Sequence, residues 1–465
     1  MLGVLGILLA LGLLMFMAYK GYSVIFFAPV FALMAAVLSG MVLLPTYTEI
    51  FLPNLANYVK VYFPFFLLGA VFGKAMEESG AAAAIAKAIV KKLGSKQAML
   101  SVVLACAILT YGGVSLFVVA FAVYPFAASI FREADIPKRL VPATIALGAF
   151  TFTMDALPGT PQIQNSIPMK FFNTDLYAAP VFGTLGAIMI FGLGLAYLEW
   201  RRRKAQANGE GYGNHTKQEP EVIDDKGLPN ALLSTIPLVA VLVVTLILQK
   251  VVFPHWDIAS WATRAPYNMD KAGLIGTMNN WALMVGLLVG IIIALVINPP
   301  RIKGNVAKAI NAGAIGSLLA VMNTGSEVGF GNVIASLPGF HSISQALMNI
   351  KGGGSPLLSE AVTVNVLAGV TGSASGGMSI ALNTFGKDYL AWGQRAGISP
   401  ELLHRVAAMS SGGMDTLPHN GAVITLLAIT GLTHKQAYKD IFALTLLKIA
   451  TPFVLIGLTS VFHFV

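Results

Sequence analysis

Long hydrophobic runs broken by short polar segments dominate this chain. Runs that can cross a bilayer, on the order of 18 residues or more, cover Leu2–Ala18, Ser23–Leu44, Leu176–Leu198, Ala231–Leu248, Ala282–Ile297 and Ile441–Val465. Shorter or polar-spotted candidates are Val61–Gly73, Leu140–Asn173, Ala309–Ser326 and His404–Leu432. The longest hydrophilic insert, Arg201–Gly227, reads as a flexible linker. It divides the chain into 1–200, a linker at 201–229 and 230–465.

The pattern also predicts irregular elements. Between Lys96 and Arg132 lie 35 uncharged residues with TYGGVS in the middle. Basic residues flank both ends, and basic residues favour the cytoplasmic side. The run therefore reads as a re-entrant hairpin with its tip at Gly112–Ser115, a form tolerated at depth where it lines a protein cavity. Segments Ala81–Leu93 and Val333–Ile350 read as short amphipathic helices at the interface before each hairpin. In the first, Lys87, Lys91 and Lys92 gather on one helical face.

Composition then excludes a water-soluble fold. Of 465 residues, 56% are hydrophobic and 11% charged, and the mean hydropathy is +0.74; one soluble core cannot hide that much apolar surface. The chain is expected to be an all-α polytopic membrane protein. Its net charge of +9 sits in short segments between apolar runs, as topology signals do, and no nucleic-acid partner is expected. The single Cys106 allows neither an internal disulfide nor a cysteine-based metal cluster. The apolar start lacks the flanks of a signal peptide and reads as a retained span.

The two halves match each other. Phe330-Gly331 repeats Phe72-Gly73 at an offset of 258, Gly376-Gly377-Met378-Ser379 answers Gly112-Gly113-Val114-Ser115 at 264, and Met414-Asp415-Thr416-Leu417-Pro418 answers Met154-Asp155-Ala156-Leu157-Pro158 at 260. Three matches in one order at nearly one offset indicate an internal duplication, a mark of many secondary transporters. Arg201, Arg202, Arg203 and Lys204 place the linker inside. Each half then holds about five spans, a re-entrant hairpin and a broken helix. Five is odd, so the repeats are inverted and both termini lie outside.

The breaks carry the chemistry. Pro158 and Pro161 interrupt one helix, and Pro418 with Gly412, Gly413 and Gly421 interrupts its counterpart. A break frees amides at one half-helix start, suited to an anion, and carbonyls at the other's end, suited to a cation or proton carrier. The expected substrate-binding residues are Gly112, Gly113, Ser115, Thr160, Gln162, Ser375, Gly376, Gly377, Ser379, His419 and Asn420. Neither tip nor either break sequence carries Arg or Lys, so backbone amides and hydroxyls are expected to hold the substrate without a side-chain cation. Asp155 and Asp415 are read as ion or proton handlers, because a carboxylate at membrane depth is costly; the structural reading for each is a helix cap. Asn323, Thr324, Ser326 and Glu327 line the cavity or cap a helix end, and Glu360 and Asn365 in the second hairpin arm serve packing or coupling.

The hairpin tips GGVS and GGMS, MDALPGTPQIQNSIP in the first half and SSGGMDTLPHNGAVITLL in the second resemble the gluconate permease (GntP) family within the ion transporter superfamily, over nearly the whole chain. The resemblance implies a bacterial inner-membrane symporter for small hydroxylated monocarboxylates, of the 3-hydroxybutyrate or gluconate kind. It also implies proton drive, a homodimer, an elevator-type transport domain and no cofactor. Sodium coupling is the alternative, and an anion channel a further one. An ATP-driven pump is disfavoured, since no G-x-x-x-x-G-K-[ST] loop occurs. An intramembrane enzyme is disfavoured too, because His419 alone accompanies the two aspartates.

Overall fold

The computed structural model describes all residues except 1, 21, 95–96, 115, 216–218, 220–226, 269–273, 341–345, 347–349, 351–353 and 419. The expected Ser115 and His419 therefore lie outside the described residues. Most of the described residues are helical and no strand is present among them, as the apolar runs predict.

The first half comprises α1 (Leu2–Tyr19), α2 (Val24–Leu38), α3 (Leu43–Glu78), α4 (Ala81–Leu93), α5 (Ala98–Tyr111), α6 (Leu116–Glu133), α7 (Val141–Ala149), α8 (Ile163–Phe172) and α9 (Pro180–Ala207). The second comprises α10 (Ala231–His255), α11 (Leu274–Val296), α12 (Val306–Ser336), α13 (Leu357–Thr371), α14 (Ala374–Arg395), α15 (Pro400–Ser411), α16 (Gly421–Thr430) and α17 (His434–Phe462). Leaving out α4, the order from α3 to α9 is matched by that from α12 to α17 among the described residues: a long helix, a helix–turn–helix, two half-helices around a gap, and a long closing helix. Among the described residues, five helices, namely α3, α9, α10, α12 and α17, are long and apolar enough to cross a membrane.

Several helices exceed their apolar runs. Val61–Gly73 is the centre of the much longer α3, because its polar residues are spaced over a helix whose apolar side packs on α12. The helix from Val306 absorbs Val333–Ser336, so the second interface helix does not begin at Val333; most of the remainder of that segment lies outside the described residues. Linker residues Arg201–Ala207 continue α9, whose basic turn favours helix. The described part of the linker is also tied down: Glu210 accepts from Arg139, and Glu219 pairs with Arg132 and, at 2.7 Å, with Lys138.

Packing interlocks the halves. α3 runs along α12, and α9 along α17. Each broken helix then reaches into the opposite half: α8 packs on α14 and α15, while α16 packs on α6. Most of the described residues of both gaps are thereby buried.

Candidate functional site

The first gap spans residues 150–162, interrupted only by the turn Phe152–Asp155. Pro158 and Pro161 cannot donate amides, and Gly159 takes φ +83°, so the chain cannot coil through them. Breaking the helix strands carbonyls in an apolar interior, where each needs a donor. Two buried cations of the second half supply donors. Lys448 on α17 donates to Phe150 O at 2.7 Å. Arg405 on α15 donates to Ala178 O (2.7 Å), Leu176 O (3.1 Å), Asp155 O (3.5 Å) and Asn165 Oδ1 (2.8 Å). Asn165 also accepts from His404 Nε2 at 3.0 Å and donates to Thr160 O and Leu176 O. With His404 Nε2 the donor, His404 Nδ1 accepts from Thr174 Oγ1 at 2.6 Å.

Lys74 of α3, paired with Glu77 at 2.6 Å, lines the cavity described below, whereas Arg405 and Lys448 do not. Arg405 and Lys448 both come from outside the tips and the gaps. Lys448 lies within a run otherwise read as a plain span, and a charge in such a run was the available signal. Arg405 has its guanidinium engaged by protein acceptors and works as a stitch across the gap.

The two aspartates have different surroundings. Asp155 is fully buried and neither carboxylate oxygen has a hydrogen-bond partner; Oδ2 lies 3.4 Å from Lys448 Nζ. It sits at the end of its short turn, where it caps no helix start. Asp415 Oδ1 accepts from Ala374 N and Asn420 Nδ2, both at 2.8 Å. Ala374 is the first residue of α14. Asp415 therefore fills the capping role considered for both aspartates, and Asp155 does not.

Each gap is bound to the tip of its own half through an equivalent amide. Gln162 Nε2 donates to Thr110 O (2.7 Å) and Val114 O (3.3 Å), and Asn420 Nδ2 donates to Gly372 O (2.7 Å). Both residues stand immediately before a half-helix, α8 or α16. Asn420 Oδ1 also caps α16 by accepting from Ala422 N and Val423 N. Gln162 makes no cap, so the first turn of α8 keeps uncapped amides.

The tips offer fewer free amides than expected. In the first, Gly112 N and Gly113 N donate to Ile108 O and Thr110 O, ending α5. In the second, Gly376 N donates to Ser373 Oγ and Gly377 N to Ser373 O, starting α14. Gly377 is a packing residue: a Cβ there would lie 2.2 Å from Ala368 N on α13. Ser379 is fully buried with its hydroxyl unpartnered, Ser375 lies 3.5 Å from Ser373 through their hydroxyls, and Thr160 donates to Thr153 O at 2.7 Å.

A cavity of about 540 Å³ borders the first tip and both half-helix starts. Its lining includes Gly113, Gln162, Gln164, Asn323, Gly421 and Thr425. Gln164 is buried with Oε1 unpartnered. Of the expected substrate residues, Gly113 and Gln162 reach this cavity; Gly112, Thr160, Ser375, Gly376, Gly377, Ser379 and Asn420 are not among its lining residues.

Two broken helices and two helix–turn–helix tips, enclosed by apolar helices, are the architecture of a multi-pass membrane transporter. The chain belongs to the GntP permease family, whose family model, GntP family permease, matches residues 2–461. It is 51% identical over 467 residues to the uncharacterized transporter YxjC of Bacillus subtilis (strain 168), covering 98% of each chain. It is also 30% identical over 182 residues to an uncharacterized transporter of Haemophilus influenzae, covering 39% of this chain and 41% of the relative. Its fold is similar to that of the Alcanivorax borkumensis YdaH transporter, with a TM-score of 0.58 and 16% identity over 89% of this chain and 88% of that one.

Proposed function

We propose that the protein is a proton-driven symporter that imports a small hydroxylated monocarboxylate, of the 3-hydroxybutyrate or gluconate kind, across a bacterial inner membrane. The observation that carries the reading is Asp155: buried, free of hydrogen bonds on both oxygens, and 3.4 Å from Lys448. A carboxylate so placed has Lys448 as its charge partner when ionised and no backbone amide or hydroxyl donor holding it in that state. The ammonium beside it also favours proton over sodium coupling, because a sodium ion on Asp155 would face the charge of Lys448 at short range.

The substrate carboxylate is assigned to the cavity at the start of α8, where uncapped amides and the positive helix end favour an anion. Gln162, Gln164 and Thr425 supply polar groups for hydroxyls. The hairpins and half-helices form the moving body of an elevator, carried against α1–α3 and α10–α12. The two halves are inverted repeats about a cytoplasmic linker, and the assembly is a homodimer.

The test is uptake into proteoliposomes of 3-hydroxybutyrate, lactate, gluconate and glycerate. An imposed pH gradient should drive accumulation of at least one, an imposed sodium gradient should not, and preloaded substrate should give counterflow exchange. Accumulation driven by sodium alone, or flux without counterflow, contradicts the reading.

A further inference from the structure

The second tip carries a carboxylate that the proposed mechanism has not used. Glu327 on α12 is 5% exposed. Its Oε2 rests against Gly376 at the start of α14: a Cβ on Gly376 would fall 2.4 Å from that oxygen and 3.1 Å from Ser373 Oγ. Oε2 has no hydrogen-bond partner. A long helix of one body thus touches the hairpin tip of the other through a buried acid.

That helix start already holds a carboxyl group. Asp415 caps Ala374 on the same first turn, at 2.8 Å. The positive end of α14 is equivalent to about half a charge, which suits one carboxylate and not two. The other titratable groups facing Glu327 bring no positive charge. On α3 they are Tyr58, 3% exposed with its hydroxyl unpartnered, and Tyr62 beside it. On the second gap it is Asp415 itself. Lys448, the cation within reach of Asp415, is bound to Phe150 O and Asp155. An ionised Glu327 would be a second buried anion with the Ser373 hydroxyl beside it and no cation to offset it, a costly arrangement.

We infer that Glu327 holds a proton whenever the second hairpin tip is docked on α12, and that losing it undocks the tip. The step is an acid dissociation: the O–H bond at Glu327 breaks, the proton passes to water, and the remaining carboxylate faces Asp415 across Gly376. Glu327 is thereby a second proton site, on the wall that the moving body slides along. The inference rests on the proton-driven reading above and deepens it.

Labelling at the tip tests it without a known substrate. In a Cys106-free background, Ser375→Cys is labelled with an impermeant thiol reagent across pH, and each rate is divided by that of a reference cysteine at Asn214 to remove thiolate ionisation. The normalised rate should rise about tenfold from mildly acidic to alkaline pH, the factor given by about 1.4 kcal/mol. Glu327→Gln should give a flat, slow profile, and so should Glu327→Met, which keeps the length without a titratable group. An unchanged rise in both variants, or no rise in the parent, overturns the latch. Failure of proton-driven uptake in the parent would instead sink the proposed function, and Asp155→Asn should leave the labelling profile intact.

Discussion

The carboxylate of Asp155 occupies the space that a side chain on Gly412 would need: a Cβ there would lie 1.8 Å from Asp155 Oδ2. The neighbouring Gly413 stands in the same relation to Asn365, whose Oδ1 would lie 1.8 Å away. The double glycine of the second gap thus lets groups from two other segments approach its backbone. Gly412→Ala should displace Asp155 from Lys448, cost about 1–3 kcal/mol of stability through overpacking, and abolish accumulation. Gly457→Ala, where nothing lies within 4 Å, should leave the melting temperature unchanged or slightly raised. Thermal melts in detergent check both.

Glycines at the two tips should fail differently. Gly377→Ala drives a methyl into the backbone of α13 and is expected to produce a folding defect, read as loss of monodisperse protein. Gly113 borders the cavity, has φ +96°, and would bring a Cβ 3.2 Å from Pro161 Cγ. Gly113→Ala carries about 1–2 kcal/mol of left-handed backbone strain. It should remain folded, with transport reduced and KM raised. Equal folding defects in both would count against the cavity as the substrate site.

The linker contact should loosen in acid. The hydrogen bond and charge of Arg139 hold the Glu210 carboxyl below the usual carboxylate range. A depressed folded value means that the contact contributes fully above the unfolded value and is lost as pH falls through the folded one. Hydrogen exchange at residues 209–215, corrected for intrinsic rate, should stay slow until the pH drops below about 4, near the ordinary glutamate value. In Glu210→Gln it should be faster already at neutral pH.

Orientation follows from the basic clusters. A single cysteine at Asn214, in a Cys106-free background, should be labelled by an impermeant thiol reagent only after the membrane is opened. Labelling from outside intact cells would reverse the layout.

The sequence made the fold legible wherever a signal was local. Proline and glycine placed both gaps and GGVS placed the first turn, because backbone restrictions act within a few residues, whereas the second turn falls at Gly372 and Ser373 and GGMS lies within the first turns of α14. Asp155 and Gln162 were visible for the same reason. What escaped was reach across the fold. Arg405 and Lys448 stand far along the chain from the carbonyls they serve, and no periodicity announces such a contact. The likeness of the sequences around Asp155 and Asp415 does not extend to their surroundings: Lys448 answers one, and Ala374 N with Asn420 the other. The tip amides were expected to be free because a turn sequence does not reveal that the helices on either side consume them.

Asp155 as the coupling group is the central claim, and paired asparagine variants test it most directly. Asparagine can still accept from Ala374 N, so Asp415→Asn should lose under about 1 kcal/mol of stability and keep most transport. Asp155→Asn cannot exchange a proton and leaves Lys448 without its charge partner. In proteoliposomes under an imposed pH gradient, Asp155→Asn should retain counterflow exchange but fail to accumulate substrate, while Asp415→Asn accumulates it. Accumulation by Asp155→Asn at the level of the parent would contradict the account.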